Sequence, residues 1–326
     1  MYLVTGGAGF IGSNLIKFLT ESTSKEICLV DWETTIKKKN LSNIKNLLRI
    51  KPEELKKFLK KNEKKIDIIF HLGAITSTTE TNPKLIIDNN IELSFFIWNW
   101  CVEKKTRLIY ASSAATYGNG ESGFKDLDEI NYLKKLKPLN LYGWSKHLID
   151  QFFLKESIKG NKPPQWVGLK FFNVYGPNEY HKGDMQSIIF KIFNKIAKNE
   201  DVFLFKSHKK SFLDGEQLRD FIYVKDVIKV IQWFMDNKKL NGIFNVGNGT
   251  ARTFNDLASA VFKYSNVTKK IRYIDTPKKI RDKYQYFTKA EMSKLKKSGY
   301  SQKNFTLESG IEDYIFNYLH KKDKYL

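Results

Sequence analysis

The 326-residue sequence contains only two cysteines, Cys28 and Cys101, and both lie among apolar residues. This scarcity excludes a disulfide framework and predicts reduced, buried thiols, as in cytosolic proteins. No apolar run approaches the roughly 20 residues that a membrane-spanning helix requires. The chain begins with a short strand-like run and a glycine-rich loop rather than with a signal peptide, so we expect a cytoplasmic protein with no membrane partner.

Acidic residues are few, because 35 Asp and Glu stand against 56 Lys and Arg, with a formal net charge of +21. Such an excess can indicate nucleic-acid binding. The lysines are, however, spread along the chain among Asn and Ile, and neither a zinc-finger spacing nor an RNA-binding motif is present. We therefore expect neither a nucleic-acid partner nor a metal site. A positive field also attracts anionic small molecules.

Runs typical of β-strands alternate with helical patterns through the first half of the chain. The predicted strands are Tyr2–Thr5, Ile27–Asp31, Asp67–Leu72, Leu108–Ala111 and Val167–Phe172. Strands that alternate with helices predict a parallel sheet covered on both faces. The second half is less regular, with a predicted helix at Met185–Lys198, a strand at Val202–Phe205 and later helices that begin at Thr253 and Thr306.

The segment VTGGAGFIG places Gly6, Gly9 and Gly12 directly after a predicted strand and before a predicted helix. Glycines permit a tight turn and let the backbone approach a pyrophosphate, and the helix N-terminus supplies free N–H groups. Asp31 ends the second strand 19 residues after Gly12, where an acid can bind the hydroxyls of an adenosine ribose. A cluster of turn glycines with a solvated Asp is the alternative, and the order of strand, loop and helix argues against it.

Together these patterns predict an α/β protein with a Rossmann-type doubly wound parallel sheet and a smaller α/β substrate-binding domain. We expect the dinucleotide-binding domain to comprise residues 1–172 plus about 220–247. Residues 173–219 and 248–326 then form the substrate domain. Asp31 favours NAD, whereas the lysines at 37–39 suit the 2′-phosphate of NADP or are simply solvated.

The segment NLYGWSKHLIDQF places Tyr142 and Lys146 four residues apart, on one face of a predicted helix. A tyrosine with its ordinary pKa near 10 is a poor base at neutral pH. A neighbouring ammonium and a positively charged nicotinamide would favour the phenolate. The spacing alone is common, but here it follows a dinucleotide motif and the hydroxyl-rich segment SSAATYGNG at residues 112–120.

The segments TGGAGFIG, SSAATYG and YGWSK resemble the extended short-chain dehydrogenase/reductase family. The resemblance implies that Ser113 binds the reacting hydroxyl, that Tyr142 is the acid–base residue, and that Lys146 tunes it and binds the nicotinamide ribose. It assigns cofactor binding to Gly6, Gly9, Phe10, Ile11, Gly12, Asp31, Trp32, Lys38, Leu72, Gly73, Ala74, Asn89, Lys146 and Val174.

Dehydratases of this family carry a carboxylate pair directly after the strand-end hydroxyl, whereas this chain has Ala114 and Ala115. Elimination is therefore disfavoured, and epimerisation by transient oxidation is favoured. A non-catalytic dinucleotide-binding regulator is a further alternative, although Ser113, Tyr142 and Lys146 are all present.

Longer segments, above all FFNVYGPNEYHKGDM and YQYFTKA, resemble the members of this family that epimerise C6 of an ADP-linked heptose. That resemblance implies NADP, with NAD possible, a homo-oligomer, and Lys182 as a second base opposite Tyr142. A 4-epimerase of UDP- or GDP-sugars is the alternative within the family. The implied substrate contacts are Ser113, Asn173, Asp184, Lys191, Phe205, Arg219 and Tyr284.

Three features depart from this pattern: Asp184 replaces a usual Ser, Lys191 replaces a usual His, and the loop at residues 206–218 is longer. Without the resemblance, Lys182 is one loop lysine among many. Arg219 could equally form an ion pair with Asp220 or Asp226.

Overall fold

A computed structural model describes residues 1–281 and 284–326 of the chain. Its strands are β1 (Tyr2–Thr5), β2 (Ile27–Val30), β3 (Leu48–Ile50), β4 (Ile68–His71), β5 (Arg107–Ser113), β6 (Trp166–Phe171), β7 (Asn173–Tyr175), β8 (Val202–Phe205), β9 (Leu218–Tyr223), β10 (Gly242–Val246), β11 (Ala251–Thr253) and β12 (Ile271–Ile274). The helices are α1 (Phe10–Ser22), α2 (Thr35–Lys39), α3 (Leu55–Lys61), α4 (Pro83–Ile86), α5 (Leu93–Glu103), α6 (Ile130–Leu133), α7 (Leu141–Ile158), α8 (Ile188–Ala197), α9 (Val224–Asp236), α10 (Phe254–Tyr264), α11 (Lys278–Arg281), α12 (Ser293–Lys297) and α13 (Leu307–Tyr314).

The central sheet has seven strands in the order β10-β6-β5-β4-β1-β2-β3, and every neighbouring pair is parallel. Its inner strands are mostly apolar because helices cover both faces, and each residue of β2, β4 and β6 is buried. The chain builds outward from β1 to β3 and then returns to β4 on the other side of β1. This reversal opens a crevice beyond the carboxyl ends of β1 and β4. The predicted α/β fold class with its doubly wound sheet is confirmed.

Two smaller sheets form from the second half of the chain. One has the order β11-β9-β7 and the other pairs β12 with β8. A separate hydrophobic cluster packs beside them, and the apolar face of α8 enters it through Ile189, Phe190, Ile192 and Phe193. The division at 1–172 plus about 220–247 stays a prediction.

Two local details differ from the sequence predictions. Strand β5 continues to Ser113 and so includes both serines of SSAATYGNG. Helix α8 begins at Ile188 rather than at Met185, because the Ser187 side chain accepts a hydrogen bond from the Phe190 N–H and caps the helix. The predicted cap at Thr253 is a reciprocal capping box with Asp256.

Neither cysteine forms a disulfide, and both are buried. Desolvation raises the pKa of the Cys28 thiol to about 12, which makes it unreactive. Among the helices of the described residues, none has the length and apolar composition needed to cross a bilayer.

Candidate active site

A cavity of about 510 Å³ lies beyond the carboxyl ends of β1, β4 and β5. It brings together most of the predicted cofactor and catalytic residues. Those that line it are Gly6, Gly9, Phe10, Ile11, Gly12, Asp31, Trp32, Leu72, Gly73, Ala74, Asn89, Ser113, Tyr142, Val174 and Lys182. Across residues 1–281 and 284–326 no cluster of three or more metal-binding side chains is found.

The glycine loop forms one wall of this cavity. Gly6 has φ +68°, and a Cβ added there would lie 2.6 Å from the Gly73 Cα atom. Only glycine fits such a backbone, since both the left-handed conformation and the contact exclude a side chain. Helix α1 begins at Phe10 with Gly9 as its N-cap residue. The first N–H groups of the helix are thus open toward the cavity, an arrangement that fits a pyrophosphate.

Asp31 stands at the end of β2, on the side of the cavity expected to hold the adenosine ribose. Its Oδ2 accepts a hydrogen bond of 3.0 Å from the Ala8 N–H, and its Oδ1 forms an ion pair of 2.9 Å with Lys37 Nζ. Lys37 lines the cavity, whereas Lys38 is exposed and is not part of the lining. Of the three lysines at 37–39, only Lys37 contacts Asp31 and lines the cavity, because the first turn of α2 directs its side chain toward Asp31.

Ser113 and Tyr142 face the interior of the cavity from β5 and the first turn of α7. Burial raises the pKa of the Tyr142 phenol, and a hydrogen bond with the Ser113 side chain opposes that rise. Ser113 Oγ also accepts a hydrogen bond of 3.1 Å from the Ala115 N–H, which starts a tight 3-10 turn. The turn fixes the serine hydroxyl next to the tyrosine.

Lys146 lies one turn after Tyr142 and is only 1% exposed. Desolvation lowers the pKa of its ammonium group to about 8, and the charge of Asp150 partly opposes this shift. Within the described part of the chain no hydrogen bond to its Nζ is present. A buried ammonium in this state suits the hydroxyls of a bound ribose, which would supply the missing acceptors.

We expect Lys146→Met to stabilise the ligand-free protein at pH 7. The pKa of Lys146 falls from 10.5 to about 8 on folding. While the lysine is charged, this shift lowers the free energy of unfolding of the wild type by on the order of 3 kcal/mol. The unfolded chain binds the extra proton between about pH 8 and 10.5, so wild-type stability rises with pH in that window and the advantage of the variant shrinks. Urea unfolding at pH 7 and pH 10 measures this difference.

Lys155→Met is the matched control, because Lys155 is an exposed lysine on the same helix. It should leave the free energy of unfolding within about 0.5 kcal/mol of wild type. A Lys146→Met protein that is less stable than wild type at pH 7 would contradict the conclusion that burial of the Lys146 charge destabilises the ligand-free protein.

Lys182 lines the same cavity as Tyr142, from the loop that follows β7. Burial lowers the pKa of its ammonium group, and Glu179 opposes the shift. Its Nζ lies 5.2 Å from the centre of the Phe10 ring. Glu179 is fully buried and anchors the loop by accepting hydrogen bonds from Ser187 Oγ at 2.7 Å and from the Tyr314 hydroxyl at 3.2 Å.

Asn89 lines the cavity, but its neighbour Asn90 makes the contacts that organise the site. Asn90 is 0% exposed; its side chain bonds both the N–H and the carbonyl of Ile75 and donates to Ser145 Oγ at 3.0 Å. It thus joins the loop after β4 to helix α7. Sequence reasoning missed Asn90, since two adjacent asparagines give no sign of which one points inward.

Apart from Ser113, the predicted substrate residues fall into two groups outside the cavity lining. Asn173 is exposed at the start of β7, and Lys191 Nζ donates to the Asp184 carbonyl oxygen at 2.7 Å. Phe205 and Tyr284 form an edge-to-face pair at 5.9 Å. The Arg219 guanidinium packs 5.2 Å from the Tyr284 ring.

Neither carboxylate considered as a partner for Arg219 pairs with it. Asp220 accepts hydrogen bonds from the backbone N–H groups of Asn248, Gly249 and Ala290. Asp226 pairs with Lys229 at 2.8 Å. Arg219 instead donates to the carbonyl oxygens of Leu218 and Gln285, so the ion-pair alternative from the sequence is wrong.

Several further residues line the cavity without having been singled out by the sequence. They include Pro52, Leu55, Ile75, Thr76, Ser77, His181 and Met185. The Nδ1 atom of His181 lies 3.1 Å from Asn40 Nδ2. Desolvation lowers the pKa of His181 to about 4, so its ring is neutral at physiological pH.

Known proteins resemble this chain over its whole length. ADP-L-glycero-D-manno-heptose-6-epimerase of Fusobacterium nucleatum subsp. nucleatum is 44% identical over 335 aligned residues, with all of both chains covered. The crystal structure of the Helicobacter pylori protein of the same name matches with a TM-score of 0.77 and 31% identity, covering 96% of this chain and 94% of that chain.

A UDP-N-acetylglucosamine 4-epimerase from Methanobrevibacter ruminantium M1, in complex with UDP-N-acetylmuramic acid, matches with a TM-score of 0.81 and 25% identity, covering 96% of both chains. The profile of the family described as the NAD dependent epimerase/dehydratase family matches residues 2–247. These likenesses confirm the family resemblance found in the sequence, and with it a nicotinamide dinucleotide as cofactor and epimerisation as the type of reaction. The chain belongs to the NAD dependent epimerase/dehydratase family.

Proposed function

We propose that this chain converts ADP-D-glycero-D-manno-heptose to ADP-L-glycero-D-manno-heptose by transient oxidation and re-reduction at C6. The observation that carries the proposal is that two proton-transfer groups, Tyr142 and Lys182, line one cavity together with the dinucleotide loop. An epimerase of this type must transfer a proton at the reacting oxygen for each of the two faces of the carbon, and two proton-transfer groups in one cavity suit that requirement. Full-length relatives that carry this activity in their names support the substrate.

The reaction divides between the two sides of the cavity. A nicotinamide dinucleotide held by the glycine loop would supply hydride transfer at C6. Tyr142, as phenolate, takes the proton of the C6 hydroxyl on one face while Ser113 holds that oxygen. Lys182, as ammonium, donates a proton to the carbonyl oxygen once the sugar presents its other face. The Lys146 ammonium favours the phenolate form of Tyr142 and holds the ribose hydroxyls.

The turn after Ser113 supports epimerisation over elimination. The turn consists of Ala114, Ala115, Thr116 and Tyr117, so none of its side chains is a carboxylate beside the reacting hydroxyl. Elimination of water would require an acid there to protonate the leaving hydroxyl.

Incubation with ADP-D-glycero-D-manno-heptose, with NMR of the C6 stereocentre as the readout, tests the proposed function. UDP- and GDP-hexoses serve as competing substrates in parallel. We expect inversion at C6 of the heptose without net oxidation. Inversion at C4 of a UDP- or GDP-sugar alone would identify a 4-epimerase instead. A protein that binds the dinucleotide and turns over no sugar would be a regulator.

We also propose that the resident cofactor is NADP rather than NAD. The ion pair between Lys37 and Asp31 places an ammonium group at the adenosine-ribose side of the cavity. A 2′-phosphate could take this lysine from Asp31 and neutralise its charge. Lys38, assigned by the family resemblance, is exposed and would have to approach the phosphate from the rim.

We expect Lys37→Met to weaken NADP binding by about tenfold to a hundredfold, the range for one charge-assisted hydrogen bond. NAD binding should change far less, because NAD has no phosphate at that position. Calorimetric titration of each cofactor into the cofactor-stripped protein measures both affinities. Lys38→Met, tested in parallel, decides between the two lysines, and an unchanged NADP affinity in both variants would contradict the proposal.

The cluster of Phe205, Arg219 and Tyr284 is proposed to bind the nucleotide end of the substrate. A guanidinium fork matches the oxygens of a diphosphate, and the two rings beside it suit stacking on a base. Asn173, Asp184 and Lys191 are proposed to contact the sugar from the edge of the cavity. We further propose that the protein is cytoplasmic and forms a homo-oligomer. Sedimentation analysis of the purified protein would test the oligomeric state.

A further inference from the structure

A buried ion pair lies directly behind the proposed catalytic residues. Lys170 Nζ, on β6, is 2.6 Å from Asp150 Oδ2, on α7, and both side chains are completely inaccessible to solvent. Asp150 follows Lys146 by four residues, so the two lie on one face of α7. The pair therefore lies one helical turn from the residue that is proposed to tune Tyr142.

The carboxylate of Asp150 accepts hydrogen bonds from two hydroxyl groups in addition to its ion pair with Lys170. The Tyr110 hydroxyl donates to Oδ1 at 2.9 Å, and Ser112 Oγ donates to Oδ2 at 2.7 Å. Both residues belong to β5, the strand that ends at Ser113. Asp150 thus attaches the catalytic helix to the strand that carries the substrate-binding hydroxyl.

Lys170 extends the same network to the turn after β5. Its Nζ donates to Thr116 Oγ1 at 2.6 Å, and Thr116 Oγ1 donates to the Ser113 carbonyl oxygen at 2.8 Å. The backbone of the proposed substrate-binding serine is therefore held, through one hydroxyl, by the buried ammonium group.

The charge of Asp150 also acts on Tyr142, which lines the cavity, and on Lys146, which is buried one helical turn away. It raises the pKa of both Lys146 and Tyr142. These effects oppose each other in the proposed reaction, because a charged lysine is useful and a protonated tyrosine is not. The Lys170 ammonium at 2.6 Å offsets part of the negative charge and so limits the unfavourable effect on Tyr142.

The other titratable groups around this network include Tyr110, Tyr117, His147 and His71, and the charges of Asp126 and Asp128 act on the two tyrosines. Tyr110 donates to Asp150, and the Tyr117 ring lies 4.9 Å from Lys170 Nζ. Desolvation lowers the pKa of His147, and it lowers that of His71 to about 3. The His71 imidazole is therefore neutral in the physiological range.

Stability alone does not account for such a pair. The desolvation of two charges consumes most of their mutual attraction, and well-packed apolar residues often stabilise a core equally well. An ion pair at this position is instead suited to control the protonation of Tyr142 and Lys146 and the position of the turn that carries Ser113.

We propose that Asp150 and Lys170 form a positioning unit for the proposed epimerisation. The negative charge of Asp150 keeps the Lys146 ammonium charged. Lys170 offsets part of the Asp150 charge, so that Tyr142 can ionise. The hydroxyl groups bound to Asp150 and Lys170 hold the turn that carries Ser113. The proposal rests on the proposed function.

Three variants test this unit: Asp150→Asn, Lys170→Met and the double variant. Asp150→Asn removes a negative charge, so Tyr142 and Lys146 lose their protons at lower pH and both limbs of the pH profile of kcat should move down by about one pH unit. Lys170→Met leaves the negative charge uncompensated, and both limbs should move up. The double variant should return toward the wild-type position.

A second readout does not depend on turnover. The phenolate absorbance of Tyr142 is obtained by difference between each NADP-loaded protein and the same protein carrying Tyr142→Phe. Its midpoint should fall in Asp150→Asn, rise in Lys170→Met and return in the double variant. If the wild type does not epimerise the ADP-heptose, the proposed function fails, whereas this titration still decides the role of the pair.

Asp313→Asn is the matched control, because Asp313 also accepts from a tyrosine hydroxyl and a lysine. Tyr223 and Lys225 each donate to its Oδ2 at 2.6 Å, away from the cavity. This variant should lose stability without moving the pH profile. Single variants that lose activity with unmoved midpoints, or midpoints that move in the same direction, would show a purely structural pair and overturn the proposal. The double variant keeps the test open if a single variant fails to fold.

Discussion

Replacing Tyr142 by Phe should reduce the rate of heptose epimerisation by about 10²–10⁴-fold, the contribution typical of one positioned acid–base group. The phenol shares the cavity with Ser113, and Phe keeps its shape while removing only the hydroxyl. Because NADP binding does not require that hydroxyl, the affinity for NADP should stay within about twofold. NMR of the C6 stereocentre gives the rate, and titration gives the affinity.

Tyr264→Phe is the control for the loss of a phenol, since Tyr264 ends α10 and is no part of the cavity lining. It should epimerise at the wild-type rate. A Tyr142→Phe protein with wild-type activity would disprove the acid–base role of Tyr142, whichever sugar proves to be the substrate.

Lys182→Met should also reduce the rate of epimerisation by about 10²–10⁴-fold, but the loss should be confined to one half-reaction. If Tyr142 and Lys182 serve opposite faces, the variant retains the half-reaction that depends on Tyr142. One heptose epimer should therefore still reduce the bound cofactor, and the other should not. The absorbance of reduced nicotinamide, recorded after mixing with each epimer in turn, reveals this asymmetry.

The pH dependence adds a second signature for Lys182. Burial lowers its pKa, so a proportion of the residue is neutral at a lower pH than an exposed lysine would be. The step that needs its proton should slow as the pH rises through that lowered pKa. Lys195→Met, an exposed lysine that pairs with Glu200 on the outer side of α8, serves as the control. Equal loss of both half-reactions would rule out the two-base arrangement.

The local parts of the site were predictable from the sequence because their geometry is local. The glycine loop is specified by the order of strand, glycines and helix, and one Cβ at Gly6 would already prevent it. Tyr142 and Lys146 share a face of α7 because helical periodicity brings residues four apart together. The alternating pattern of strands and helices likewise specified a doubly wound sheet.

Contacts between distant segments required the tertiary structure. Nothing in the lysine cluster indicates that Lys37, and not Lys38, pairs with Asp31, since the direction of a short helix depends on its packing. Asn90 is the residue that joins the loop after β4 to α7, although Asn89 stands beside it in the sequence. In both cases adjacent residues of the same type differ only in the direction in which the fold points them.

By itself, then, the sequence determined the fold class, the dinucleotide loop and the Tyr142–Lys146 pair, because each depends on the periodicity or steric limits of a short segment. Only the tertiary structure decided that Lys182 and Tyr142 line one cavity and that Asp150 pairs with Lys170 behind it. These pairs join residues brought together by the packing of β6, β7 and α7. The free energy of burying charges is likewise a property of the packed core, so the shifted pKa values of Lys146 and Lys182 arise only there.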